Sequence, residues 1–355
     1  MLIQKPFPLL THLNILSAGE HVPLLPAGFL GGFAPSLQEI TLSAISFPAL
    51  SNLLSSARDL VTLNLQLMPP TAGDYISPEA LVACLAALPR LRTFDIQFHP
   101  STPRTDQIRP MTHHITRTVL PALTGFRLDG PACGNYLEDF TARIDCPRLN
   151  EFYLVYFTSH LLDLRITQLV KFFERLVGPR TSPFKAAKIR LDTPGIFLHT
   201  YRPDNRPGWD WHLARTEISS HGIDWKASPL THMLRLFSPM LSPVLFLKLV
   251  ANFWTGFLPG ESDVSDWLQL LHQLSAVRAL CVSHPLSGRI AHSLKSFTGE
   301  TVEEALSSLD LICLDKQPAS SLEKLTAVRQ LSGRPVTVVD TEMDFDQRLE
   351  RYLEN

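Results

Sequence analysis

Side chains that could carry out chemistry are scattered along this chain. Its five cysteines, Cys84, Cys133, Cys146, Cys281 and Cys313, are odd in number and widely spread, and no two form a Cys-x-x-Cys motif. His113-His114 offers two imidazoles in a polar stretch with no third ligand nearby, so an exposed pair is expected rather than a metal centre. Gly28-Phe-Leu-Gly31-Gly32 is glycine-rich but lacks the strand-to-helix setting of a phosphate cradle, and it reads as a turn. No Gly-x-Ser-x-Gly elbow, Gly-x-Gly-x-x-Gly, P-loop or His-Glu-x-x-His occurs. Trp209 and Trp211, with Arg202, Arg206 and Arg215 close in sequence, make either an aromatic–cationic patch or a plug for an irregular segment. An active site needs a convergent acid, base or nucleophile. None is legible, so the chain is expected not to be an enzyme and to hold no cofactor and no metal.

What must position such residues is a recurring apolar hexad. Leu81–Ile96 shows the unit: Leu81, Cys84, Leu85 and Leu88 at helical spacing, then Pro89, then Leu91-x-x-Phe94-x-Ile96 alternating as a short strand does. The hexad recurs at Leu10-x-x-Leu13-x-Ile15, Leu37-x-x-Ile40-x-Leu42, Leu60-x-x-Leu63-x-Leu65, Leu123-x-x-Phe126-x-Leu128 and Leu149-x-x-Phe152-x-Leu154. Weaker copies follow at Phe184-x-x-Ala187-x-Ile189 and Leu213-x-x-Thr216-x-Ile218, then strong ones at Val244, Val277 and Leu309, and a closing Val336-Thr-Val-Val339. Their starts lie roughly 23 to 35 residues apart, near the top of the leucine-rich-repeat range.

This pattern predicts an α/β leucine-rich-repeat solenoid, a horseshoe with a parallel sheet on its concave face and helices and loops on its convex face. One such unit is expected over 1–355. Segments 99–118 and 193–212 have no apolar period and read as irregular insertions, and the charged stretch 340–355 reads as a C-terminal cap or tail. Ser77-Pro78-Glu79 is a helix start, with a hydroxyl cap, Pro at the first helical position and an acid near the positive end of the dipole.

Net charge is −2 with 45% hydrophobic residues. A general nucleic-acid binder needs a cationic surplus, so none is expected, and neither is a membrane-surface role. The most apolar run, Val244–Phe257, is broken by Lys248 and Asn252 and is too short to span a bilayer. With no secretory leader at Met1 and dispersed cysteines, an intracellular location is expected, in cytoplasm or nucleus.

Several phrases are more specific than the hexad. Phe47-Pro-Ala-Leu50, Leu53-Leu-Ser-Ser-Ala-Arg-Asp-Leu-Val-Thr-Leu63, Tyr75-Ile-Ser-Pro-Glu-Ala-Leu81, Thr118-Val-Leu-Pro-Ala-Leu123, Tyr136-Leu-Glu-Asp139, Ala142-Arg-Ile-Asp-Cys-Pro147 and Ala327-Val-Arg-Gln-Leu-Ser-Gly-Arg-Pro-Val336 resemble the leucine-rich-repeat region of fungal F-box proteins. The resemblance runs from about Phe29 to Val339 and implies a substrate-holding role in a cullin-type ubiquitin-ligase adaptor. The first hexad starts at Leu10, so the F-box module has no counterpart in this sequence. A free-standing repeat scaffold unrelated to ubiquitin is the competing reading.

Alternation turns the residues between framework leucines away from the core. One row across the expected sheet is Asn14, Thr41, Asn64, Asp95, Arg127, Tyr153, Lys188, Glu217, Lys248, Cys281 and Cys313. Arg and Tyr dominate binding hot spots. Arg127, Tyr153, Lys188, Arg190, Arg215, Glu217 and Lys248 are therefore the candidate surface for a protein partner whose identity the sequence does not name.

Overall fold

The computed structural model describes residues 5–17, 23–67, 76–98, 116–130, 133–157, 167–177, 185–191, 195–201, 214–219, 235, 237–251, 271–272, 274–296, 307–316 and 322–339. The protein is α/β, with helices set between strands of largely parallel sheet. Contacts divide the chain into two compact units. Unit 1 takes Met1–Phe157 and Leu164–Leu176; unit 2 takes Thr158–Asp163 and Val177–Asn355.

Unit 1 runs β1 (His12–Leu16), β2 (Glu39–Ser43), α1 (Leu50–Ser56), β3 (Thr62–Leu67), α2 (Pro78–Ala86), β4 (Thr93–Phe98), β5 (Thr118–Val119), β6 (Gly125–Gly130), α3 (Cys133–Ala142), β7 (Ile144–Asp145), β8 (Glu151–Phe157) and α4 (Thr167–Val177). β1, β2, β3, β4, β6 and β8 pair in chain order, each parallel to the next. β5 and β7 form a separate short parallel pair.

Every hexad of unit 1 lands on one of these main strands. From Leu37 to Leu154 the framework residues are buried as an apolar layer, Phe94, Phe126 and Phe152 among them. A single bonding pattern marks the start of each strand. Two successive amides donate to one carbonyl of the preceding strand: Gln38 and Glu39 to Thr11, Val61 and Thr62 to Gln38, Arg92 and Thr93 to Val61, Thr124 and Gly125 to Arg92, Asn150 and Glu151 to Thr124. Equivalent sequence positions thus occupy equivalent backbone positions.

Ser77 caps α2 as its residue type requires, accepting from the Ala80 amide at 3.2 Å, with Pro78 at the helix start. At the start of α4 a side chain from α3 does the same work. Glu138 accepts from the Gln168 amide at 2.9 Å and from the Leu169 amide at 3.2 Å. Arg175 near the end of α4 donates to Asp145 at 2.7 Å and to the Thr141 carbonyl at 2.9 Å.

Burial pushes the Glu138 carboxyl above its usual range, against the two amides that favour its ionised form. The folded state therefore holds the proton more tightly than the unfolded chain, and the stability Glu138 contributes falls as pH rises through and just above the ordinary carboxylate range. Glu138→Ala, which orphans two helix-start donors, is expected to cost about 1–2 kcal/mol in urea unfolding. Glu138→Gln keeps an acceptor and is expected to cost less, comparing best with wild type near neutral pH and losing ground as Glu138 protonates. Equal losses for the two variants at every pH would refute this account.

Unit 2 contains β9 (Ala186–Leu191), β10 (Gly195–Tyr201), β11 (Ala214–Ser219), α5 (Ser238–Leu241), β12 (Phe246–Ala251), β13 (Ala279–Val282), α6 (His284–Ser296), β14 (Leu311–Leu314), α7 (Glu323–Leu331) and β15 (Thr337–Val339). β9, β12, β13, β14 and β15 pair in that order, all parallel. The two-amide pattern returns here: Leu245 and Phe246 to Lys185, Arg278 and Ala279 to Leu245, Asp310 and Leu311 to Arg278.

Two expectations need correcting here. The segment 193–212, read as irregular, contains the regular strand β10, which runs antiparallel to both β9 and β11. Only residues 192–194 separate β9 from β10, and so short a connection can only reverse the chain. The sheet is therefore not all parallel. β11 also does not lie between β9 and β12, which pair directly, so Glu217 is not a member of the Lys188 row.

The rest of 193–212, segment 99–115 and the tail 340–355 lie outside the described residues, as do Arg202, Arg206, Trp209, Trp211, His113 and His114. No helix among the described residues is long and apolar enough to cross a membrane.

Candidate protein-binding surface

In unit 1 the predicted row is in register. Asn14 pairs with Thr41, Thr41 with Asn64, Asn64 with Asp95, Asp95 with Arg127 and Arg127 with Tyr153. The flanking positions put Glu39, Thr62, Thr93, Gly125 and Glu151 on one side and Ser43, Gln66, Gln97 and Asp129 on the other. Apart from Leu16 on β1 and the buried Val155 on β8, this face is polar and half to fully exposed, while the opposite face carries the buried framework.

Arg127 is not a free cation on that face. Its Nη2 lies 3.2 Å from Asp129 Oδ2, its Nε 3.8 Å from Asp95 Oδ2, and its guanidinium sits 4.6 Å from the centre of the Tyr153 ring. Asp95 also accepts from Gln97 at 3.5 Å, while its other oxygen, Oδ1, is buried without a hydrogen-bond partner among the described residues. Desolvation raises the Asp95 carboxyl above its usual range, and the Arg127 charge works against that rise without cancelling it. Carboxylates outnumber cations on this face: Glu39, Asp95, Asp129 and Glu151 stand against Arg127, which is already paired, and His12, which lies 3.9 Å from Glu39.

Unit 2 arranges its candidates differently. Lys188 is in register with His199, and His199 with Arg215; Arg190 is in register with Phe197, and Phe197 with Glu217. The Arg190 guanidinium lies 4.2 Å from the Phe197 ring centre. Lys248 pairs with Lys188 on one side and Cys281 on the other.

An open face was expected around Lys248, yet it is only 7% exposed. The reason is that the strands beside it are covered on both faces. Ala186, Phe246, Ala279, Cys281, Leu311, Cys313 and Val339 form a buried apolar cluster on the Lys248 side. On the other side Leu249, Leu280 and Ile312 are buried, with α6 packed on β12 and β14. Cys281 and Cys313 are side by side in register, and both are buried.

Among the described residues no three His, Cys, Asp or Glu side chains converge as a metal ion would require. Burial pushes the Cys146 thiol up to about 12, which leaves it an inert member of the core.

No protein-family model matches the chain. No curated protein matches it either. Among solved structures it is similar to the leucine-rich repeat-containing protein LegL7 of Legionella pneumophila, at 15% identity over 88% of each chain. The TM-score of that superposition is 0.31, too loose to transfer fold or function.

Geometry thus separates the seven predicted residues. Arg127 and Tyr153 are brought together, with Arg127 neutralised. Lys188 and Arg190 stand two apart on β9, Arg215 and Glu217 occupy register positions on β11, and Lys248 is withdrawn from solvent. Sequence reasoning placed Asp95 in the row but passed over Asp129 and Glu151, which stand on the same face. Strand alternation would have found both, since each lies two residues from a row member.

Proposed function

We propose that this chain is a non-catalytic, intracellular protein-recognition module built as a leucine-rich-repeat solenoid. The observation that carries the reading is the row from Asn14 to Tyr153, an open polar sheet face held in register by repeated backbone bonds. Such a face presents many side chains at fixed spacing, which suits grip on a protein. Tyr153 and Arg127 form a rigid aromatic–cationic centre within it. The excess of carboxylates favours a partner that presents basic residues. In unit 2, Lys188, Arg190, Arg215 and Glu217 are proposed as a separate contact set. The finer reading, the substrate-holding region of an F-box-type ubiquitin-ligase adaptor, rests on the sequence phrases alone. Co-purification of cullin-ligase subunits from cells would support it over a free-standing scaffold.

The test is comparative capture from cell extract. Thr93→Arg and Glu151→Arg place bulk and positive charge on the unit 1 face. They are expected to reduce capture of each specific partner at least about tenfold, and wild-type capture is expected to weaken as salt rises. Arg90→Ala, which removes an exposed ion pair with Asp59 at a turn off this face, is expected to leave capture unchanged. Partners retained equally by all variants would reject the face as the binding surface.

A further inference from the structure

The outermost strand of unit 1 is incompletely built. Among the described residues β1 pairs with β2 alone. The framework side chains of β2 and β3 (Ile40, Leu42, Leu63, Leu65) are buried, whereas their β1 counterparts Leu13 and Ile15 are only half-buried. The apolar layer therefore lacks its next neighbour on this side. Large apolar side chains crowd the same part of the chain in the open: Phe7 is 40% exposed, Leu9 87%, Leu16 64%, Leu24 66% and Phe33 50%. β1 carries none of the usual guards of an edge strand, since His12-Leu-Asn-Ile-Leu16 contains no Lys, no Pro and no bulge.

The direction of the free backbone groups follows from the ladder. The Thr11 carbonyl accepts from Glu39, and the Ser17 amide donates to Ser43. Backbone groups alternate sides along a parallel strand. Leu13 and Ile15 therefore also bond toward β2, and His12, Asn14 and Leu16 turn their N–H and C=O groups outward.

We propose that this edge is a self-association surface, closed by β1 of a second copy running antiparallel about a two-fold axis at Asn14. That register is self-complementary. Asn14 faces Asn14 of the other copy, His12 faces Leu16 and Leu16 faces His12, so that all the outward groups of the three residues pair in an isologous contact. On the apolar side Leu13 meets Ile15 of the other copy, and the half-buried layer continues across the junction.

The exposed area sets the strength. A fully exposed Leu offers on the order of 100 Å² and a Phe roughly 200 Å², so the five side chains of two copies have at most about 800 Å² of exposed surface to cover. A specific interface needs about 1,000 Å², and the paired strands supply the rest. An area at the low end of specific interfaces is that of a weak dimer, so dissociation on the order of micromolar is expected.

Sedimentation of the full chain from about 1 to about 100 µM tests this. The mass is expected to climb from 39.8 kDa toward twice that value. Hydrogen exchange at the His12, Asn14 and Leu16 amides is expected to slow in the concentrated sample. Asn14→Pro removes an outward N–H without touching the β2 ladder. Asn14→Lys sets two cations against each other on the axis, and it decides the matter should the proline variant misfold. Both are expected to stay monomeric with unchanged circular dichroism. A wild type that remains monomeric throughout overturns the proposal. So does a dimer that survives Asn14→Lys, or edge amides protected only when a different protein is added.

Discussion

Phe126→Ala is expected to destabilise unit 1 by about 3–5 kcal/mol, the range for emptying an aromatic site in a packed core. Phe126 stands at the centre of an aromatic column. Its ring is stacked 5.5 Å from Phe94, meets Phe152 edge-on at 5.3 Å, and lies 5.4 Å from Phe140 on α3. Phe94 and Phe152 sit on strands held apart by their ladders to β6, so neither can move in to fill the gap. The void persists, and its lining loses dispersion contacts on several sides. Phe126→Leu keeps most of the volume and is expected to cost well under half as much. The check is urea denaturation followed by fluorescence and circular dichroism, reading the transition that belongs to unit 1. A loss below about 1 kcal/mol for the alanine variant would mean that the column repacks and that the rung spacing is softer than the ladders imply.

Gly130→Ala is the second large effect, expected at about 2–4 kcal/mol from backbone strain and overlap together. Gly130 has φ of +140°, and a Cβ there would stand 2.7 Å from both the Cβ and the carbonyl oxygen of Phe98 on β4. Backbone cannot yield as a flexible side-chain end does. Relief would require parting the end of the β4–β6 pair, where Phe98 also packs on Tyr136 at 4.9 Å. Gly125, at the other end of β6, is the matched control. A Cβ there meets nothing closer than Thr93 Cγ2 at 3.8 Å, so Gly125→Ala is expected to be tolerated. Thermal melting of the pair decides the point. Comparable melting temperatures for the two variants would show that the β4–β6 junction accommodates a side chain.

Much of the strand layout could be read from residue types. A hexad with leucine or phenylalanine at its first, fourth and sixth positions commits those side chains to one face, so each hexad names its strand. Leu37, Ile40 and Leu42 illustrate this, all buried, the last two on β2 and Leu37 just ahead of it. The unit 1 row followed because evenly spaced parallel strands in chain order pair equivalent positions. Ser77-Pro78-Glu79 was legible for a local reason: a hydroxyl cap needs only its own helix.

The missed features depend on something outside the strand. β10 was obscured by Pro194 and Pro203 on either side, although Ile196, Phe197, Leu198 and Tyr201 are strong strand formers. Arg127 looked like a free cation until Asp95 and Asp129 were placed within ion-pair reach on the strands beside it and two residues along. Glu138 gave no sign in sequence that it starts a helix 30 residues further on.

Residue spacing by itself determined where the hexad strands of unit 1 lie, which of their side chains enter the core, and where at least one helix begins. These are consequences of periodicity and of neighbours within a few residues. Tertiary structure alone decided that β9 and β12 are neighbours, that Lys248 is buried, that Arg127 is neutralised, and that β1 pairs with β2 alone among the described residues. Each of these depends on what lies against a strand from elsewhere in the chain, and the alternation of a strand specifies which way a side chain points without specifying what meets it there.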